Sequence, residues 1–562
     1  MFYHFQKSPL TVVRLFLVLL AVSTQAAAQT PVFENSLPGY TIPHARDLVV
    51  DQAGNSFLLG SAYDDGTHLD VLVAKFFPSG DHAWTRYITT GDHCYATGIA
   101  LDSAGDAWVT GWTDSPDFPV LDAMDSTLTG FRDVFLMKLD ALDGAIIYST
   151  YLGGDYSDAA QDIFLNEADE IYLTGSTGST DFPVTSDAWQ STPSFPEYFY
   201  KDAFITKLNA AGDTILYSTY FGGLHDDRAL EISLDSENNI LIAGTTEAED
   251  FPLVNPIQSM ADDLFIAKLS PDGGSLLFST YFGGEDLDQL GQMVLDDAGL
   301  VYLVGTTRSV AFPTTSGVFQ ENFAGEINGC EVPFGADYNC EDIFVTKLST
   351  EGDGILWSTY LGGNRVEVGR AIAVDHTGGV YVSGYTGSAD FPPYGMDFGA
   401  EIIVCRLNAT GSVLDFTYSI DSGSANRGNG IFVDENDDVY FSGTVGVPAS
   451  IYISKLSVVH QSAVGEKPQQ ALLLHSNYPN PFNPRTNISF ELAEPLNVRL
   501  QVYDLEGKMV RRWLADDYLA PGSYEFPWFG RDDSGRKVAS GVYLYRLDAG
   551  PFSETKPMVL IK

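Results

Sequence analysis

Four times in this chain a seven-residue string recurs almost unchanged. The copies are Tyr148-Ser-Thr-Tyr-Leu-Gly-Gly154, Tyr217-Ser-Thr-Tyr-Phe-Gly-Gly223, Phe278-Ser-Thr-Tyr-Phe-Gly-Gly284 and Trp357-Ser-Thr-Tyr-Leu-Gly-Gly363. Each is followed by an apolar run that ends at an Asp or Asn, a short turn, and a second apolar run. Those turn residues are Asp51, Asp102, Asn166, Asp235, Asp296, Asp375 and Asp434, which makes seven copies of one unit with variable insertions. A fixed unit repeated this way folds as neighbouring modules that bury each other's faces, so the repeat decides the architecture before any single residue does.

Within a copy four runs read as strands, here lettered A to D. Typical examples are 371–374 for A, 380–383 for B, 342–347 for C and 355–360 for D. They alternate apolar and polar residues or are rich in β-branched and aromatic ones. The A–B and C–D connections, such as 375–379 and 349–353, are short and carry Gly, as hairpins require. Four-stranded antiparallel units arranged radially form a β-propeller. Strand C occurs seven times but strand D clearly only six, and none follows Lys455. The segment 31–37 ahead of the first strand A is expected to supply the missing strand. It would pair with strand C of the last copy and close the ring.

Insertions fall between B and C, after Asp117-Phe-Pro119, Asp181-Phe-Pro183, Asp250-Phe-Pro252, Ala311-Phe-Pro313 and Asp390-Phe-Pro392. In an antiparallel blade the B–C and D–A connections emerge on one face, so binding is expected there. That face also receives the aromatic stretch 189–200 and the long insertion 314–341. The D–A connections add Asp155, Asp158, Asp226, Asp227, Asp286, Asp288 and Glu367. Of these, Asp155, Asp158, Asp227, Asp288 and Glu367 are candidate ligands of Ca²⁺, as a carboxylate ring toward the central channel. Residue type favours a plainer role, in which acids beside turns accept backbone N–H groups. The same applies to each Asp-Phe-Pro, whose Phe should pack between blades. Asp434-Glu-Asn-Asp-Asp438 lacks the Gly and distal Glu of a calcium loop and reads as a solvated hairpin. Arg228, Arg308, Arg365, Arg370 and Arg427 lie near these loops. They suit either an acidic sugar or ion pairs with surrounding acids, and so acidic a surface favours the pairs.

Cys330 and Cys340 lie ten apart in the longest insertion and are expected to form a local disulfide, while Cys405 falls in a strand C as a core thiol. No HExxH, CxxC, GxSxG, P-loop or strand-to-helix GxGxxG occurs. Paired carboxylates for glycoside cleavage depend on three-dimensional spacing and stay open.

The Tyr-Ser-Thr-Tyr-Leu-Gly-Gly and Asp-Phe-Pro signatures resemble the SBBP family of seven-bladed β-propeller repeats in secreted bacterial proteins, over about residues 46–456. The resemblance implies the fold and no single chemistry. After Leu456 the repeat stops. Residues 457–475 read as a linker, and 476–562 hold six or seven short strands, expected to form a small immunoglobulin-like β-sandwich. There, Asn477-Tyr-Pro-Asn-Pro-Phe-Asn-Pro484, Tyr503-Asp-Leu-Glu-Gly507 and Gly541-Val-Tyr-Leu-Tyr545 resemble the type A sorting domain of the type IX secretion system. That resemblance implies an address read by the secretion machinery. Upstream, Lys7 and Arg14, the apolar run 15–22 and Ala26-Ala27-Ala28 read as a signal peptide, 1–28. The propeller is then 29–456.

The formal net charge of −45 argues against nucleic acid, whose binders must neutralise phosphates. Residues 476–562 hold 11 acids and 11 bases, so the acidity belongs to the remainder. No segment after residue 28 reaches the length of a transmembrane helix. The leading expectation is a secreted or cell-surface binding or adhesion module that takes a glycan or a protein. An extracellular polysaccharide hydrolase or lyase using loop carboxylates, and a structural surface component, stand as alternatives.

Overall fold

The computed structural model describes residues 31–37, 41–63, 68–194, 200–259, 263–327, 340–392, 401–420, 427–445, 450–457, 472–474, 482, 485–492, 496–504, 508–519, 522–549 and 552–561. The chain divides into two units, Met1–Val459 and His460–Lys562. Among the described residues no helix is long and apolar enough to cross a membrane.

The first unit is a propeller of seven four-stranded antiparallel sheets. Blades 1 to 6 span 41–88, 94–152, 158–221, 227–282, 288–361 and 367–420, each in the order A-B-C-D. Blade 7 takes its strands A to C from Arg427–Val433, Asp438–Val445 and Ser450–Ser457. Its fourth strand is Pro31–Leu37, antiparallel to the third, with Asn35 opposite Ile453 and Leu37 opposite Ile451. The closure expected from the strand count therefore forms. Each strand A packs on strand A of both neighbouring blades, so the A strands make the inner ring.

The signature residues are explained by contacts between blades. The first aromatic of each string reaches the C–D turn of the next blade. Tyr148 and Tyr217 donate to the carbonyls of Gly212 and Gly273 at 2.7 and 2.8 Å. Those turn glycines sit at φ +74° and +70°, which only Gly adopts at little cost. The second Tyr turns back onto its own B–C loop, as Tyr220 does by donating to Ser179 O at 2.8 Å. The Phe of Asp-Phe-Pro fills the seam between blades. Phe251 lies 5.4 Å from Phe221 of blade 3 and 4.6 Å from Phe265 of blade 4, ring to ring.

All seven turn residues Asp51 to Asp434 accept two backbone N–H groups through one side-chain oxygen, at 2.8 to 3.0 Å. The basic residue near the end of strand C reinforces this end of the blade. Lys138 meets Asp102 at 2.7 Å, Lys268 meets Asp235 at 2.8 Å and Arg406 meets Asp375 at 2.7 Å. Several of the few cations of an acidic chain thus hold turns on the A–B/C–D face. Asp434-Glu-Asn-Asp-Asp438 belongs to this set as an ordinary hairpin.

The second unit is a two-sheet sandwich. Leu472–Leu474, Thr486–Leu492 and Gly522–Trp528 form one sheet. The other runs Met509–Leu519, Leu496–Asp504, Gly541–Ala549 and Phe552–Leu560 in spatial order. The alternating Val498, Leu500 and Val502 face a core that includes Phe490, Trp528 and Tyr545. Phe482, from the Pro-rich motif, is buried in that core and pinned by backbone bonds to Val559 and Ile561. Leu472–Leu474 falls inside the stretch expected to be linker, and is instead a strand paired with 490–492.

Candidate functional site

The sequence leads one to expect B–C insertions that stand up as binding loops. Those that are described instead turn down the outside of their own blade and cover strand D. Leu121, Val254 and Gln258 make bridges to Ser149, Ser279 and Tyr281. Thr185 and Thr315 donate their N–H groups to Ser218 and Ser358. The physical reason is that an uncovered outer strand is an open edge, and these loops satisfy it. Trp189, in the aromatic stretch, packs 5.2 Å from Phe221 as core.

The candidate calcium residues form no ring toward the channel. Asp158, Asp227, Asp288 and Glu367 each open a strand A, and all are buried at 0 or 1% exposure. Each accepts the N–H of the second Gly of the preceding Gly-Gly pair, at 2.6 to 2.8 Å. Asp155 is exposed and apart from them, with its N–H on Asp181 Oδ1 at 2.7 Å. Cys94 occupies the equivalent place in blade 2. It and Cys405 are free and buried, and burial pushes the Cys405 thiol up to about 12. Cys340 is disulfide-bonded, and Cys330 lies outside the described residues.

Each of these acids meets a partner that the sequence motifs do not single out: the carboxylate that opens strand C of the preceding blade. An added Cβ at Gly153 would lie 2.7 Å from Asp133 Oδ1 and 2.9 Å from Asp158 Oδ2. At Gly222 it would meet Asp227 Oδ2 at 2.4 Å and Asp202 Oδ1 at 3.1 Å. At Gly362 the neighbours are Asp342 and Glu367. Gly153, Gly222 and Gly362 are therefore each wedged between two carboxylates, with no room for a side chain, while Gly283 meets Asp288 alone. Asp288 N donates to Asp263 Oδ2 at 2.7 Å in the remaining pair. The signal is present as spacing, since 133 and 158, 202 and 227, 263 and 288, and 342 and 367 are all 25 apart. Burial raises these carboxyls, Asp133 and Asp288 to about 6, Asp202 and Asp227 to about 7, and Asp342 to about 8. Buried at 0 or 1% exposure, the pairs 133/158, 202/227 and 342/367 are out of reach of a polysaccharide, while Asp263 of the fourth pair is half-buried.

A third acidic set lies on the inner ring. Asp47 Oδ2 accepts Ile99 N, Asp162 Oδ2 accepts Ile232 N and Glu231 Oε2 accepts Met293 N, at 2.9 to 3.3 Å. Gln292 Oε1 accepts Ile372 N in the same way. Each side chain sits just past a β-bulge in strand A and ties its blade to the next.

One cluster of residues outside the repeat signature lies on blades 1 to 4. Tyr95 and Trp112, opposite one another on strands A and B of blade 2, stack at 5.5 Å and 14°. Arg46 of blade 1 lies 4.2 Å from the Tyr95 ring, and Arg132 lies 3.6 Å from the Trp112 ring. The result is a four-layer cation–aromatic stack at the D–A/B–C end of these strands. Arg132 Nε is buried without a hydrogen-bond partner. The residue at the equivalent place in blade 3 is Lys201. Burial and then the charges of Arg228 and Arg132 hold its amine below the ordinary lysine range. Arg228 pairs with Asp226 at 3.1 Å and Arg308 with Glu341 at 2.6 Å, as residue type suggests, while Arg365 and Arg370 are exposed. The Arg427 side chain lies outside the described residues.

A shallow depression of about 460 Å³ between blades 5 and 6 is lined by Thr315, Leu356, Trp357 and Thr410, with Lys347 as its one ionisable residue. It carries no carboxylate pair.

A family model described as beta-propeller repeat (SBBP) matches residues 83–119 and 356–392. A second, the FlgD Ig-like domain, matches 477–550. No curated protein matches this chain. Among solved structures, a protein of unknown function from Dyadobacter fermentans is 10% identical with a TM-score of 0.36, over 76% of this chain and 99% of its own. PorZ, a surface component of the type IX secretion system of Porphyromonas gingivalis, is 10% identical with a TM-score of 0.20, over 94% of this chain and 100% of its own. An acylaminoacyl peptidase from Pyrococcus horikoshii is 8% identical with a TM-score of 0.37, over 80% and 58%. The chain is therefore an all-β protein, a seven-bladed propeller with matches to the SBBP beta-propeller repeat followed by a sandwich similar to a FlgD Ig-like domain.

Proposed function

We propose that this protein is an exported or cell-surface binding module, and that its ligand seats on the D–A/B–C face of blades 1 to 4. The observation that carries this reading is the Arg46–Tyr95–Trp112–Arg132 stack. The repeat signature is accounted for by contacts between and within blades, so it leaves binding to residues outside the repeat. A flat aromatic pair bounded by guanidinium groups suits a sugar ring, and Lys201 and Arg228 nearby favour one that bears carboxylate or sulfate. The test is a glycan array including polyuronates, run with the full chain and with Trp112→Ala and Arg132→Ala. At least a tenfold loss of affinity in both variants, with folding intact, supports the site. Equal binding by all three removes it.

The sorting motifs of the second unit and the 1–28 signal support export by a type IX route. Expression in a bacterium that has this system tests it. The full chain should reach the surface or medium, and a chain ending at Val459 should stay in the periplasm. Equal export of both overturns the route.

A further inference from the structure

The junction between blades 3 and 4 differs from its repeats in one respect. Asp202 and Asp227 are both fully buried, and both leave Oδ1 without any hydrogen-bond partner. Their other oxygens are taken. Asp202 Oδ2 accepts Ser194 N and Gln190 Nε2, each at 2.8 Å, and Asp227 Oδ2 accepts Gly223 N at 2.6 Å. In the junction between blades 5 and 6 only Asp342 Oδ1 is open, because Glu367 receives Thr386 Oγ1 on one oxygen and Gly363 N on the other. At Asp133 and Asp158 the Lys201 charge stands near the pair. At Asp202 and Asp227 the charges that act are acids, Asp250 on both and Asp202 on Asp227.

We propose that the Asp202–Asp227 junction binds a divalent cation of the Ca²⁺ class, held by the two open Oδ1 atoms and clamping blade 3 to blade 4. An unpartnered carboxylate oxygen in the interior costs several times what a made hydrogen bond returns, and here two of them face one seam. A single divalent ion meets both and cancels the pair's charge. Oxygen-only donors select a hard ion, and Ca²⁺ accepts carbonyl oxygens and water in its remaining positions where Mg²⁺ demands a stricter octahedron. Gln190 and Ser194 come from the B–C insertion, so the loop that covers strand D of blade 3 also roofs the site. This inference is independent of the ligand proposed for blades 1 to 4.

The experiment is equilibrium dialysis of the full chain, stripped with chelator, against Ca²⁺ at pH 7.5, with bound metal counted by elemental analysis. Thermal melting is recorded in parallel. The wild type should bind Ca²⁺ and melt about 2–4 °C higher in a few millimolar Ca²⁺. The Asp202→Asn, Asp227→Asn double variant should bind one equivalent fewer. An equal count in both chains, or no bound Ca²⁺ in the wild type, overturns the proposal. So does a melting temperature that rises on acidification but ignores Ca²⁺, since the pair then holds a shared proton. Should the double variant fail to fold, Asp227→Asn alone is counted by the same dialysis. One equivalent fewer supports the site, and an equal count overturns it.

Discussion

The indole Nε1 of Trp357, in strand D of blade 5, donates to the carbonyl of Ala409 in the C–D turn of blade 6 at 3.1 Å. Two residues on, Gly411 sits at φ +65°, and an added Cβ would lie 2.5 Å from the Trp357 ring. Two separate penalties, a left-handed backbone and a steric clash, therefore oppose any side chain there. Gly411→Ala should cost about 2 kcal/mol or more, read as a lower urea midpoint with unchanged slope. Trp357→Ala should cost about 3–5 kcal/mol, because it opens the seam rather than straining a turn.

The buried carboxylates fix the sign of the pH response. Asp342 titrates at about 8 in the folded protein against an ordinary value of 3.8, and Glu367 facing it is raised as well, in both cases first by burial. Between those limits the folded chain holds protons that the unfolded chain has lost, so stability falls as pH rises from about 4 to 8. With chelator present, the melting temperature should be higher at pH 5 than at pH 8. Asp342→Asn should gain on the wild type as pH rises. A variant whose deficit is the same at both pH values would refute the assignment.

Much of this architecture is legible in the sequence for a physical reason. The residues that join blades recur in every copy, so Tyr148 and Tyr217 advertise the fold even where insertions vary. Strand bounds agree to within a few residues, and Pro31–Leu37 is found by counting a missing strand D. The acids of the D–A loops are visible too, but not their partners. Asp202 and Asp227 belong to different blades, and only the shared 25-residue separation of these four pairs hints that the C–D–A′ segment has one length at their junctions. The Tyr95–Trp112 stack has no signal at all, because blades 1 and 2 build it from residues that occur once.

Closure of the ring makes a prediction about aggregation. Ile451–Leu456 pairs on one side with strand B of blade 7 and on the other with Pro31–Leu37. Deleting 31–37 leaves that strand as a bare edge, which templates pairing with another chain. The deletion should lower the melting temperature and produce dimers or larger species in size-exclusion chromatography. Supplying 31–37 as a separate peptide should reverse both, whereas a monomeric, equally stable deletion would show that the pairing is dispensable.

The inner ring offers a test in which one residue shifts stability in opposite directions. Glu231 Oε2 accepts Met293 N at 3.3 Å while its carboxyl faces the charges of Asp162 and Asp47. Burial first, then those two acids, raise it well above its ordinary value, so its ionised form opposes folding at neutral pH. One blade on, Gln292 does the same structural work for Ile372 N without a charge. Glu231→Gln should therefore stabilise by about 0.5–1 kcal/mol at pH 8 and lose that advantage toward pH 4, where the native carboxyl is protonated. Glu231→Ala removes the acceptor and leaves the Met293 N–H unmet, and should destabilise by about 1–3 kcal/mol at pH 4, with part of that loss offset at pH 8. If both variants shifted stability in the same direction at pH 8 and at pH 4, the carboxylate would be acting through packing alone.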